Sequence, residues 1–162
     1  MKRDSRLSNV LHALLHMAEQ EDRTGSPMTS DQLAACLSTH PVVVRRTMAG
    51  LREQGLVTSE KGHGGGWRLA RSLDSVTLGQ VHDALGGTGL LPDAPPVEAD
   101  GCLVEAAVND ALTNTYAAAR ALLLERLHDI TLADLAKDFA RRLAEHPNRD
   151  LIHAYARQRS ST

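Results

Sequence analysis

Apolar residues spaced three and four apart mark a succession of helices along this chain, interrupted once by a short glycine-tipped hairpin. Leu7, Val10, Leu11, Leu14, Leu15 and Ala18 make the stripe of a first amphipathic helix. Thr29 and Ser30 then offer N-cap oxygens ahead of a short helix whose apolar face is Leu33, Ala34 and Leu37. After the link Ser38-Thr39-His40, Pro41 opens a third helix, where its missing N–H costs nothing, with Val44, Met48 and Leu51 facing inward. Gly55 stands where that helix should end. Leu56–Ser59 and Trp67–Ala70 read as two brief strands, closed by Gly62, Gly64, Gly65 and Gly66. Thr77–Leu85 is a short helix. Residues 86–101 hold four glycines and three prolines and read as a loop, longer than the usual connection. A long helix over Leu103–Leu127 follows, and another opens at Thr131 and runs to about Glu145, before Pro147. No internal repeat or useful heptad array is present.

Two helices across a three- or four-residue turn form a helix-turn-helix unit, whose second helix enters the major groove. The adjoining hairpin supplies a wing. The predicted fold is therefore mainly α with a small β-hairpin: a winged helix-turn-helix over residues 1–85, a variable loop over 86–101, dimerisation helices over 102–146 and a tail over 147–162. Arg45, Arg46 and Arg52 lie outside the apolar stripe of the third helix and project outward. Arg45 and Arg46 can present paired donors to guanine or bind phosphates. Ser38, Thr39 and His40 are expected at the phosphate backbone, where hydroxyls and a helix N-terminus suit anions. Thr39 and His40, with Val42 and Val43, occupy the leading end of the recognition helix, where base edges are met. In the wing, Gly64 and Gly65 let backbone amides approach phosphates, Lys61 adds charge, and His63 or Arg68 could enter or flank the minor groove. Trp67 is expected to anchor the wing on the body. The plainer alternative is a helical hairpin with a solvated basic face.

Charge is informative only locally. The 162-residue chain is formally −2, yet residues 41–71 carry Arg45, Arg46, Arg52, Lys61, Arg68 and Arg71 against Glu53 and Glu60, a local +4. A DNA binder needs a positive footprint rather than a positive protein. Lys2, Arg3 and Arg6 add to it near the N-terminus. Hydrophobic content of 42% permits a core, and 2% aromatics means that core rests on Leu, Ala and Val. No stretch approaches the roughly 20 apolar residues of a membrane span. The N-terminal segment reads as an amphipathic helix rather than a signal peptide, since Asn9, His12 and His16 interrupt it. Two cysteines, Cys36 and Cys102, are too few for a secreted disulfide scaffold, and a cytoplasmic setting is expected.

The long helix bears on mechanism. It carries a stripe of Val104, Val108, Ala111, Leu112, Thr115, Ala119, Leu122 and Leu123, and its roughly 25 residues span roughly 38 Å at 1.5 Å per residue, more than a small domain covers with its own chain. A two-fold partner using the same surface would cover it and would set two recognition helices about 34 Å apart on a pseudo-palindromic duplex. An intramolecular bundle helix is the alternative.

Several motifs together resemble one family. Gly62–Gly66 with Trp67-Arg68-Leu69-Ala70, Thr77-Leu78-Gly79, and Ile130-Thr131-Leu132-Ala133-Asp134-Leu135, in this order around a variable loop and a long helix, are similar to the Rrf-two family of bacterial winged-helix transcription regulators. The resemblance covers about residues 5–145 and implies a homodimeric DNA-binding regulator, expected to be a repressor. The segment Pro41-Val42-Val43-Val44-Arg45-Arg46 looks closest to a branch lacking the cluster-binding cysteines. Cluster-bearing members use three cysteines in the loop and at the start of the long helix, and here that region holds Cys102 alone. A cluster wants about four ligands, so no cofactor is expected; the alternative is a cluster held by unusual ligands, Cys102 with His12 or other histidines, since unusual members of the family recruit histidine and carboxylate from the first helix. The signal is expected to be a small molecule or a redox change. Cys102 is the sensing candidate, since a helix dipole favours its thiolate, although Asp100 and Glu105 oppose it and a small buried residue is the plainer reading. Cys36 is expected in the core. His12 and His16 lie one turn apart, a spacing that can hold a metal, but on a helix facing a core or dimer seam they are expected to be structural.

An enzyme finds little support. His63-Gly64-Gly65-Gly66 resembles an esterase oxyanion loop, but there is no G-x-S-x-G elbow, and no G-K-[ST] follows the glycines. Asp134 and Asp138 read as a solvated helix face. The rival functional class is a dimeric protein-interaction module, which salt-sensitive binding to duplex DNA would exclude.

Overall fold

The computed structural model describes residues 5–62, 64–87, 91 and 102–145. His63, most of the expected loop 86–101, and the tail from residue 146 lie outside the described residues. The elements run α1 (Ser5–Thr24), α2 (Ser30–Leu37), α3 (Pro41–Glu53), β1 (Val57–Glu60), β2 (Gly66–Leu69), α4 (Leu78–Ala84), α5 (Leu103–Asp129) and α6 (Leu132–Glu145), with a single 3₁₀ turn at Leu73–Ser75.

The core gathers where α1, α2, α3 and the hairpin meet. Leu14, Met17, Leu33, Met48, Leu51, Val57, Val76, Val81 and Leu132 are its largest fully buried side chains. The stripe on α1 is rotated slightly from expectation: Leu7, Val10, Ala13, Leu14, Met17 and Ala18 are buried, while Leu11 and Leu15 sit on its flank. On α3 the inward face is Val44, Met48 and Leu51, as the periodicity indicated.

Side-chain caps set the helix starts. Thr29, not Ser30, caps α2: its hydroxyl accepts from the Gln32 amide at 3.2 Å, and Gln32 accepts from the Thr29 amide at 2.9 Å. Thr77 and Gln80 repeat this box at α4. At α6, Thr131 and Asp134 do the same with a carboxylate, which accepts from the Thr131 amide and hydroxyl at 3.0 and 2.8 Å.

The hairpin is antiparallel, pairing Val57 with Leu69 and Glu60 with Gly66. Both strands are displaced by one residue from the sequence expectation. A third segment explains why, because Met28 bridges Trp67, exchanging N–H···O bonds of 3.1 and 2.8 Å. Gly66 is required there, since a Cβ would overlap the Met28 carbonyl.

The long helix α5 runs 27 residues, about 40 Å, and buries none of them. Two contacts fix its far end to the unit built from the first helices and the hairpin. Thr77 and Thr131 form an isolated antiparallel bridge, with Leu78 N–H donating to the Ile130 carbonyl and Leu132 N–H to that of Val76, each at 2.9 Å. Gly79 packs directly on the His128 ring. Beside it, Asp83 stands between buried His82 (3.4 Å) and His128 (3.3 Å).

Candidate nucleic-acid interface

The outward face of α3 carries Val42, Arg45 and Arg46, and its leading end carries Thr39, His40 and Val43, all exposed. Val42 and Val43 are 56% and 53% exposed, which is unusual for valine on a packed helix and leaves methyl groups available to a base edge. Ser38 turns the chain between α2 and α3 in the left-handed region, φ 51°, at a site where glycine is more common. It too is exposed.

His40 does more than the sequence suggested. It caps α3, its Nδ1 accepting the Val42 amide at 3.2 Å, while Val43 donates to the His40 carbonyl at 2.9 Å. The first amides of α3 are therefore engaged within the chain, and the expectation that they serve an anion directly is corrected. In the neutral ring the same bond puts the proton on Nε2, leaving that nitrogen as an outward donor.

An open cleft of about 260 Å3 lies between the start of α2 and the wing, with Asp31 and Arg45 on one wall and Ser59, Glu60, Gly62 and Gly65 on the other. Lys61 is exposed at the wing tip, beside Gly62 and Gly64 at φ 101° and 82°. These values suit glycine and shape the turn. The Gly65 amide, expected to face phosphate, instead donates to the Gly62 carbonyl at 3.0 Å. Arg52 reaches back to the Ser59 hydroxyl at 3.3 Å and ties the end of α3 to β1.

Arg68 is the largest departure. Its guanidinium donates to Glu60 at 2.5 Å, to Glu21 at 2.8 Å and to the Gly25 carbonyl at 2.8 Å. The hydrogen bonds to Glu60 and then Glu21 raise its pKa further. Arg68 thus clamps the wing to the end of α1 rather than standing ready for a minor groove. Glu21 was missed by sequence reasoning because it lies 47 residues away and outside the charge window. The positive footprint therefore rests on Arg45, Arg46, Lys61 and Arg71, all exposed. Trp67 anchors the wing as expected: it is 9% exposed and donates to the Ser30 hydroxyl at 3.0 Å.

Cys102 is exposed at the N-cap of α5 and makes no side-chain cap bond, and Cys36 packs against the core. Among the described residues no helix is long and apolar enough to cross a membrane.

A recognition helix with a basic outer face, a paired wing and a long exposed helix define a winged-helix transcriptional regulator. The chain belongs to the Rrf2 family, the one its motifs resemble: a family model described as iron-dependent transcriptional regulator matches residues 3–138. A Mycobacterium tuberculosis protein named as an HTH-type transcriptional regulator is 27% identical over 136 residues, covering 84% of this chain and 81% of that one. A transcriptional regulator from Lactobacillus plantarum has the same fold at TM-score 0.68 and 25% identity, over 93% of this chain and 97% of that one. T. potens IscR is similar at TM-score 0.58 and 23% identity, over 85% and 88% of the two chains. CymR, the global cysteine regulator of B. subtilis, gives 0.56 and 22%, over 85% and 95%. The family is one of transcriptional regulators, not of enzymes.

The family description names iron, which needs a set of donor side chains. The chain has two cysteines, one packed on the core and one at the start of α5. Among the described residues no three His, Cys, Asp or Glu side chains gather to hold a metal ion. These residues do not fit a cysteine-held iron–sulfur cluster.

Proposed function

We propose that this regulator is a homodimeric repressor, two copies pairing along α5 so that their α3 helices read a pseudo-palindromic operator. The carrying observation is the apolar face of α5: Leu103, Val104, Val108, Leu112 and Leu122 are between 40% and 86% exposed in the single chain. Covering a Val or Leu side chain returns roughly 1.5–3 kcal/mol when complete. Such side chains on two copies are on the scale of the roughly 4–15 kcal/mol that association costs. One helical turn of DNA, about 34 Å, is comparable with the length of α5 and suits two heads carried on one seam.

Ser38, Thr39 and His40 then meet phosphates, Val42, Val43, Arg45 and Arg46 meet base edges, and Lys61 with the glycine turn flanks the groove. The signal is a small molecule or a redox change acting without an iron–sulfur cluster, in the cytoplasm, and Cys102 is the redox candidate. Its support is exposure at the start of the paired helix.

The test joins light scattering with a gel shift on fragments selected by the purified protein. Wild type is expected to be a dimer with steeply salt-dependent DNA binding, and Val108→Asp with Leu112→Asp a folded monomer that has lost the operator. A monomeric wild type that binds the same fragments equally well overturns the reading. Oxidant should release DNA from wild type but not from Cys102→Ser; indifference of the wild type leaves the small-molecule signal.

A further inference from the structure

An open cleft of about 290 Å3 lies between α1 and α6, away from the DNA-facing surface, with His12 and His16 on one wall and Phe139 on the other. His16 is half-buried and His12 exposed, both beside the core rather than within it. Their Nε2 atoms are 2.9 Å apart, with ring centroids at 4.6 Å and planes tilted by 44°. In the metal-free chain this is one N–H···N hydrogen bond between two imidazoles. The same separation is the edge of a coordination site: with bonds of about 2.0–2.1 Å, two ligating nitrogens lie about 2.9 Å apart at a right angle and about 3.4 Å apart in a tetrahedron. Binding replaces the hydrogen bond. The donating ring moves its proton to Nδ1, and both Nε2 lone pairs turn to the ion.

Two further observations favour a cation here. A Glu19 carboxylate oxygen lies 3.6 Å from His16 Nδ1, the side opposite the converging nitrogen. A carboxylate in that position favours Nδ1–H and leaves Nε2 as the ligand. The charged side chains lining the cleft, Glu19 and Asp22, are both acidic. Imidazole donors select zinc, nickel or copper over magnesium and calcium, which want oxygen.

We propose that His12 and His16 form a two-imidazole site for a divalent transition-metal ion, with Glu19 positioning the second ring. No third protein ligand joins them among the described residues, and in the proposed site water takes the remaining positions. The site is independent of the operator reading.

The experiment titrates copper(II) and nickel(II) into the full chain, followed by calorimetry and, for copper, by paramagnetic resonance. One ion per chain is expected, with nitrogen splitting from two imidazoles. His12→Gln or His16→Gln should weaken binding at least tenfold and leave one nitrogen, Glu19→Gln should weaken it severalfold, and Cys102→Ser should change nothing. Circular dichroism checks that each variant folds. Should a histidine variant unfold, zinc added to the wild type must instead shift both Nε2 resonances together in a long-range ¹⁵N–¹H spectrum. Binding that survives in both folded histidine variants, that depends on Cys102, or that moves only one ring overturns the site. None of these readouts involves DNA, so operator binding stands or falls separately.

Discussion

Gly79→Ala tests the joint between the DNA-facing unit and the long helix. Gly79 is buried in the first turn of α4, and a Cβ built on it would overlap the His128 ring at Cγ, Nδ1 and Cδ2. Two opposing effects follow. Alanine in place of glycine gains at most about 1 kcal/mol of helix propensity. Forcing a methyl into filled space costs about 1–3 kcal/mol. The His128 side chain is 46% exposed and can swing toward solvent, giving up Asp83 at 3.3 Å, so the steric cost falls at the lower end of that range. The net expectation is a loss of at most about 1 kcal/mol, a fall of no more than roughly 2–4 °C in melting temperature. Removing the ring should reverse the sign: in a His128→Ala background, Gly79→Ala has room and should raise the melting temperature. Four proteins melted side by side give the coupling. If Gly79→Ala stabilises both backgrounds alike, the ring does not fill that space and the proposed joint is wrong.

Other expectations follow from the same geometry. Arg45→Ala with Arg46→Ala should abolish operator binding and leave the dimer intact. Single variants should each reduce the salt slope by about 1.8 per dimer, about 0.9 for each copy, if the side chain meets a phosphate. Arg68→Gln should leave that slope unchanged while loosening the wing, read as faster amide exchange at Trp67; a slope change as large as that of Arg45→Ala would restore Arg68 as a contact. Thr29→Ala removes the cap of α2 and should cost about 1 kcal/mol in denaturant titration, and an unaltered midpoint would contradict the capping box. Acid should act on α6, because hydrogen bonds from the Thr131 backbone and hydroxyl hold the Asp134 pKa below its ordinary value. A lowered folded-state pKa gives stability that is present above the ordinary carboxylate range and lost as pH falls through the lowered value. The loss should begin just under pH 4 by this rule, and Asp134→Ala should lack that component of the acid transition.

Much of the architecture was legible because burial on one side imposes a period. The α3 stripe, the Thr77 and Thr131 starts and the glycine turn all follow from local chemistry. What escaped the sequence depends on residues far apart. Nothing near Trp67 announces that Met28 will pair with it and shift the hairpin by one residue. Likewise, a count of charges over a window treats Arg68 as available, whereas Glu21 at the end of α1 neutralises it from outside that window. His40 was read as a phosphate contact on its residue type, yet the imidazole is first a helix cap. The exposed valines and arginines of α3 were visible early because they are what remains once the inward positions are assigned.

The paired threonines have a mechanical corollary. Thr77 and Thr131 stitch two distant stretches of chain by main-chain bonds on both sides, with buried Leu132 seated in the core just beyond. Such a seam acts as a weld rather than a swivel. In the proposed dimer a twist imparted to the shaft therefore carries to the reading head, and the pitch between two heads is set wherever the shafts touch.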